Sequence, residues 1–196
     1  MPKLFPYYRF ENFLSKEIVN ELYDYVLANE HNFKPSKVNH GTAVDPTAKQ
    51  SSSLFAMGKF ADVFEKALTD NEAAIFQAAG VAPFPVRKHE LNIAAFGDGG
   101  HFREHIDIND KTLIQDMRVV TAVYYFFAKP KQFEGGELIM YPVDFLPGSD
   151  KPVTISPVSN SLLVFSSVAP HSVAPVRAPN LAFKDYRFSV NCWFIK

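Results

Sequence analysis

Cysteine is nearly missing from this chain. Cys192 is the only one, so no disulfide can form within it, and a reducing compartment is its natural setting. Basic residues are not in excess either, with 20 Lys and Arg against 21 Asp and Glu for a net charge of −1. That balance excludes a general nucleic-acid binder, which needs a basic surface to meet phosphate. Uninterrupted apolar stretches are short. None reaches the ~18 residues that a membrane-spanning helix needs, and the opening MPKLFPYYRF has no continuous apolar core of the signal-peptide kind. The expectation is a cytoplasmic protein with neither nucleic acid nor membrane as a partner. Internal repeats, low-complexity tracts and linkers are absent, so residues 1–196 are expected to form a single domain with a proper core.

What the chain has in quantity is apolar and aromatic. Hydrophobic residues make up 47% of it and charged ones only 21%, which excludes disorder. The 19 Phe and 14 Pro suit many short strands joined by turns better than a helix bundle. Tyr7 to Phe13 reads as a short strand. Ser15 is an N-cap candidate with Glu17 in the first turn. Ile18, Leu22 and Tyr25-Val26 recur at helical spacing, which predicts an amphipathic helix over 16–29. Residues 30–53 are polar, carry Pro35, Gly41, Pro46 and Ser51-Ser52-Ser53, and read as a long loop of the lid or binding type. Helical periodicity returns with Phe55, Phe60, Val63-Phe64 and Ala67-Leu68, then with Ala74, Ile75 and Ala78 up to a stop at Gly80.

From Pro83 onward the pattern is one of strands: 86–95, 103–108, 118–127, 137–141, 153–155, 161–165, 171–176 and 186–195. Spaced this way, they predict an all-β barrel or sandwich over about 83–196, behind a helical part over about 1–82. The fold class is α+β, with the helices packed on one outer face.

Within the strand region, His105-Ile106-Asp107 places an imidazole and a carboxylate two apart, on one face of an extended chain. One more imidazole from a distant strand, His171, would complete the two-His-one-carboxylate set that leaves open positions on a non-haem Fe(II). His-x-Asp alone arises often by chance, and its weight comes from its company. Alternation over 186–195 puts Arg187, Ser189, Asn191 and Trp193 on one face. A buried arginine there calls for an anion, and its planar fork suits a carboxylate.

The stretches LNIAAFGDGGHFREHID, RVVTAVYYFFAKPKQFEGGELIMYP, SLLVFSSVAPHSVAPV and YRFSVNCWF resemble the 2-oxoglutarate- and Fe(II)-dependent dioxygenases, in their prolyl 4-hydroxylase-like branch. Arg118, Thr121, Tyr124 and Tyr125, followed by Gly-Gly-Glu-Leu, carry the branch's signature. The resemblance implies a double-stranded β-helix, or jelly roll, preceded by helices. It implies Fe(II) ligation by His105, Asp107 and His171, and a grip on the far carboxylate of 2-oxoglutarate by Arg187 and Tyr125. Asn191 would add a hydrogen bond, and Trp193 would line the cavity. O2 is the other co-substrate, and ascorbate is a candidate reductant. The implied activity is hydroxylation of a C–H bond in a peptidyl or free amino acid or small metabolite, releasing succinate and CO2. The carboxylate of Asp107 favours hydroxylation, since related halogenases lack it. The stretch from His171 to Arg187 is longer than this branch usually has, so APNLAFKD must loop out, and Arg177 is the next candidate for the anion-binding role. Phe96 stands where many relatives carry a tyrosine. Residues 30–53 and Asp98 to Gly100 are expected to border the substrate entrance.

Two other readings stand beside this one. His101-x-x-Glu104-His105 fits the inverted zincin pattern, in which two histidines one helical turn apart bind zinc and the Glu is the base. Phe102, Ile106, Leu113 and Met117 keep the helical spacing this would need. The other is a non-enzymatic jelly-roll binding module. His31, His40 and His89 are expected to be surface or structural residues, Lys129 and Lys131 a solvated hairpin tip, and Glu137 structural.

Overall fold

The computed structural model describes residues 4–38, 43–108, 117–143, 151–178 and 182–196. His40, Gly41, Leu113 and part of APNLAFKD lie outside the described residues. The first strand, β1 (Tyr7–Glu11), ends two residues short of the Phe13 read from sequence. Ser15 caps α1 (Lys16–Ala28), its hydroxyl accepting from Ile18 N at 3.4 Å. After α1 come β2 (Lys34–Pro35), β3 (Lys49–Gln50) and β4 (Ser52–Leu54), then α2 (Phe60–Asp70) and α3 (Glu72–Ala79). Gly80 ends α3 at φ +65°, the left-handed conformation that glycine adopts without a Cβ clash.

The remaining strands are β5 (Lys88–Phe96), β6 (His101–His105), β7 (Arg118–Phe126), β8 (Glu134–Gly135) and β9 (Leu138–Met140). They continue with β10 (Val153–Ile155), β11 (Ser161–Ser166), β12 (His171–Val173), β13 (Val176–Arg177) and β14 (Arg187–Ile195). A seven-stranded sheet runs in the order β1-β11-β7-β14-β5-β4-β2, and a five-stranded sheet in the order β10-β9-β12-β6-β3. This is the double-stranded β-helix of an α+β protein.

The period of two in β14 and β7 divides the interior. Phe188, Val190, Cys192 and Phe194, with Ala122, Tyr124 and Phe126, pack against Leu22, Val26, Phe64, Leu68 and Phe76 of the helices. The alternate residues face the five-stranded sheet and line the cavity between the sheets. Burying a Phe or Leu side chain contributes about 1.5–3 kcal/mol, so the helices are held by hydrophobic area and fix the back of the seven-stranded sheet.

The long loop read over 30–53 is corrected by the structure. It holds β2 and β4 on the edge of the large sheet, and β3 on the edge of the small one, where Lys49 pairs with Phe102. These pairings are only two or three residues long and polar, so no hydrophobic alternation announced them.

Asn160 ties the helical part to the barrel. At φ +63°, its side chain accepts from Leu14 N at 3.0 Å and from the Tyr124 hydroxyl at 2.9 Å, and donates to Leu14 O at 2.8 Å. Asn160→Ala is expected to lower the unfolding free energy by about 2–4 kcal/mol, from orphaned polar groups and left-handed strain. Asn160→Gly, free of the strain, should lose less. Urea denaturation checks this, and a loss below about 1 kcal/mol for the alanine variant contradicts it.

Candidate active site

His105 closes β6 and His171 opens β12, and the antiparallel register sets the two opposite each other. Their ring centroids are 4.2 Å apart. The register then slips by one residue on β6, and the bulge brings Phe102 onto His105, stacked at 3.6 Å. Beyond β6, the backbone N–H of Asp107 donates to Ser167 O at 2.9 Å, which aims its side chain inward. Asp107 Oδ1 lies 3.5 Å from His105 Nε2, and Oδ2 lies 3.6 Å from His171 Nε2. One donor atom from each of the three falls within 4.8 Å of the other two.

Both imidazoles are held in the tautomer that a metal requires. His105 Nδ1 donates to Arg103 O at 2.8 Å, and His171 Nδ1 to Ala169 O at 2.9 Å. Each Nε2 is thereby the ring nitrogen left facing Asp107. Burial pushes His171 down to about 4, against the pull of Asp107, so the ring is neutral near pH 7. Burial would raise Asp107, but the two imidazoles beside it, His171 foremost and then His105, outweigh burial, and the carboxyl is held well below its usual range. Thr121 Oγ1 donates to Asp107 Oδ2 at 2.8 Å. Its one proton being committed there, the Ser167 hydroxyl is the donor in the 2.9 Å contact with Thr121.

Arg187 begins β14 and is 1% exposed. Its Nε donates to Gly136 O at 2.8 Å. The guanidinium lies 4.7 Å from the ring centroid of Phe96 and 4.9 Å from that of Tyr125. Nη1 of Arg187 and the hydroxyl of Tyr125 are buried with no hydrogen-bond partner among the described residues. Burial pulls the Arg187 pKa down and pushes that of Tyr125 up, and their mutual attraction opposes both shifts. Ser189, Asn191 and Trp193 line the same cavity as the histidines. Asn191 gives its amide N–H to Asn92 Oδ1 at 3.0 Å. Trp193 Nε1 is buried outside hydrogen-bond geometry, yet helps to hold Asp107 ionised.

All seven residues singled out from sequence line this one cavity. The inverted zincin reading fails, because residues 101–105 form a strand, so the helical turn that would align His101 and His105 is missing. His101 is instead held by backbone, Nδ1 donating to Gly99 O at 2.9 Å, and Glu104 is exposed. Arg177 is exposed and paired with Glu134 at 3.3 Å, away from the cavity. Phe96 forms part of the wall under Arg187. His89 is a buried partner of Glu65, a structural role. Sequence reasoning missed Thr121 as a support for Asp107, although it sits in the quoted motif, and it missed Lys49 altogether.

Comparison with known proteins agrees with this geometry. The family model of the 2OG-Fe(II) oxygenase superfamily matches residues 91–195, more than half of the chain. The protein belongs to that superfamily. An uncharacterized PKHD-type hydroxylase of Synechocystis sp. is 37% identical over 119 residues, which cover 59% of this chain and 39% of the relative. The chain thus matches well under half the length of that relative. In fold, it resembles a Pseudomonas putida prolyl-4-hydroxylase at TM-score 0.72 and 23% identity, over 98% of this chain and 94% of that one. It also resembles a Trichoplax adhaerens prolyl hydroxylase, solved with a hypoxia inducible factor peptide, at TM-score 0.73 and 19% identity, over 97% and 83% of the two chains.

The residues present fit the iron and 2-oxoglutarate that this family implies. Two imidazole nitrogens and an ionised carboxylate converge at one end of the cavity, which suits a divalent ion. A buried guanidinium and phenol with unused donors lie in the same cavity, which suits an anion.

Gly136 seats the arginine. Its φ is +70°, and a Cβ there would come within 2.6 Å of Arg187 Cδ. Gly136→Ala is therefore expected to cost about 1–3 kcal/mol of stability, since it combines left-handed strain with a displaced guanidinium. Denaturation of the purified variant measures the cost, and an unchanged midpoint would contradict the seating.

Proposed function

We propose that this protein is a 2-oxoglutarate- and Fe(II)-dependent hydroxylase. His105, Asp107 and His171 would hold the iron, and Arg187 and Tyr125 the far carboxylate of 2-oxoglutarate. The observation that carries the reading is the set of two imidazole nitrogens and one carboxylate within 4.8 Å of one another, in the same cavity as a buried guanidinium whose Nη1 has no hydrogen-bond partner among the described residues. When both are bound, the chemistry supplied is reduction of O2 coupled to decarboxylation of 2-oxoglutarate, giving succinate and CO2, with one oxygen atom passing to a substrate C–H bond. The chain's own part is positional. Thr121 and Ser167 hold the carboxylate of Asp107, backbone carbonyls fix both tautomers, and the apolar walls from Phe96, Val123 and Leu138 limit water.

The substrate class is a peptidyl or free amino acid or a small metabolite. The hydroxylase name of the Synechocystis relative supports the reaction type, and the peptide in the Trichoplax complex supports a peptide as one option.

Succinate release in the presence of Fe(II), 2-oxoglutarate and O2, with and without ascorbate, tests the assignment. Asp107→Ala and His171→Ala are each expected to abolish it, and undiminished release from either would remove the ligand set. Arg187→Met should mainly raise the 2-oxoglutarate requirement, by about 2–5 kcal/mol. An unchanged requirement would move the anion-binding role elsewhere.

A further inference from the structure

Among the described residues, Lys49 is the one charged residue of the cavity wall that iron and 2-oxoglutarate binding leave unused. Charged side chains lining the cavity are Lys49, Asp107 and Arg187. The Lys49 ammonium lies 4.5 Å over the ring of Phe102, which in turn stacks on His105. It therefore stands at the metal end. No carboxylate among the described residues lies within ion-pair distance of it. Burial pulls its pKa down, and the attraction of Asp107 opposes that shift.

Charge balance turns that position into an expectation. Once a dication and the 2-oxoglutarate dianion are bound, they cancel completely against Asp107 and Arg187. The positive charge of Lys49, half-buried on the cavity wall, is then left over, and a partly desolvated lone ion is costly. Neighbouring charges do not supply the counterion. Arg118 is itself a cation that opposes the charge on Lys49, the nearby Glu90 is committed to Arg118 at 2.7 Å, and Glu137 acts on Arg187.

We propose that Lys49 is a substrate-binding residue and that the substrate carries a carboxylate, which pairs with the Lys49 ammonium while its reacting C–H bond faces His105, Asp107 and His171. This rests on the iron and 2-oxoglutarate reading. It narrows the substrate to an acid: a free amino acid held by its α-carboxylate, or a peptide held by a side-chain or terminal one.

The test keeps the chemistry off by using Mn(II) in place of Fe(II). Trp193 is the only tryptophan and lines the cavity, so its fluorescence reports on occupancy. The probes are the protein amino acids with their α-carboxamides, and N-acetyl tripeptides as free acids and as amides. They are titrated into protein holding Mn(II) and 2-oxoglutarate, with calorimetry as a second readout. At least one acid is expected to bind tenfold or more tightly than its amide. Lys49→Met should erase that preference, Lys49→Arg should retain it, and both should bind 2-oxoglutarate as the wild type does. Which acids respond separates free amino acids from peptides. If every acid binds like its amide, or if Lys49→Met itself weakens 2-oxoglutarate binding tenfold, the proposal is overturned. If the wild type binds neither Mn(II) nor 2-oxoglutarate, the reading beneath falls and takes the proposal with it.

Discussion

The register between β6 and β12 is the constraint on which the site depends. Side chains in a sheet change face with every residue, so a slip of one position would turn His105 or His171 out of the cavity. Three features hold the register here. The bulge on β6 seats Phe102 against His105, β12 is clamped on its other side by β9, and Asp107 is tied through its backbone to Ser167. The seven-stranded sheet supplies the opposite wall, and its back is fixed by the helices. The hydrophobic layer under β14 therefore sets where Arg187 and Trp193 stand relative to the histidines.

The interior is also organised around groups left short of partners. A guanidinium at 1% exposure and a fully buried phenol retain donors that nothing among the described residues satisfies. Such groups oppose folding, and each unmet donor costs about 1–3 kcal/mol. They persist in a barrel with a large apolar layer to offset them, and they are the donors that the proposed 2-oxoglutarate would take. Lys49 extends the same logic to the metal end of the cavity.

Much of this was legible in the sequence because the relevant strands are long. Alternation along β14 is enough, from residue order alone, to put Arg187, Ser189, Asn191 and Trp193 on one face. No local pattern links β6 to β12, so His171 joins His-x-Asp only through the chemistry of the ligand set and the family resemblance. Residues 101–105 fit two periodicities, and the strand pairings of β6 with β12 and β3 decided between them. What stayed hidden was short or tertiary. β3 is two polar residues long, so Lys49 read as part of a loop. The support that Thr121 gives Asp107 crosses from one sheet to a segment beyond another. No spacing rule reaches that far.

The proposed chemistry depends on a divalent ion that would be held by His105, Asp107 and His171. Anaerobic equilibrium dialysis of Fe(II) against the purified protein measures this directly, with His171→Ala alongside. One iron per wild-type chain is expected, held more tightly when 2-oxoglutarate is present, and none held by the variant. Equal binding by both proteins, or no iron in either, would contradict it.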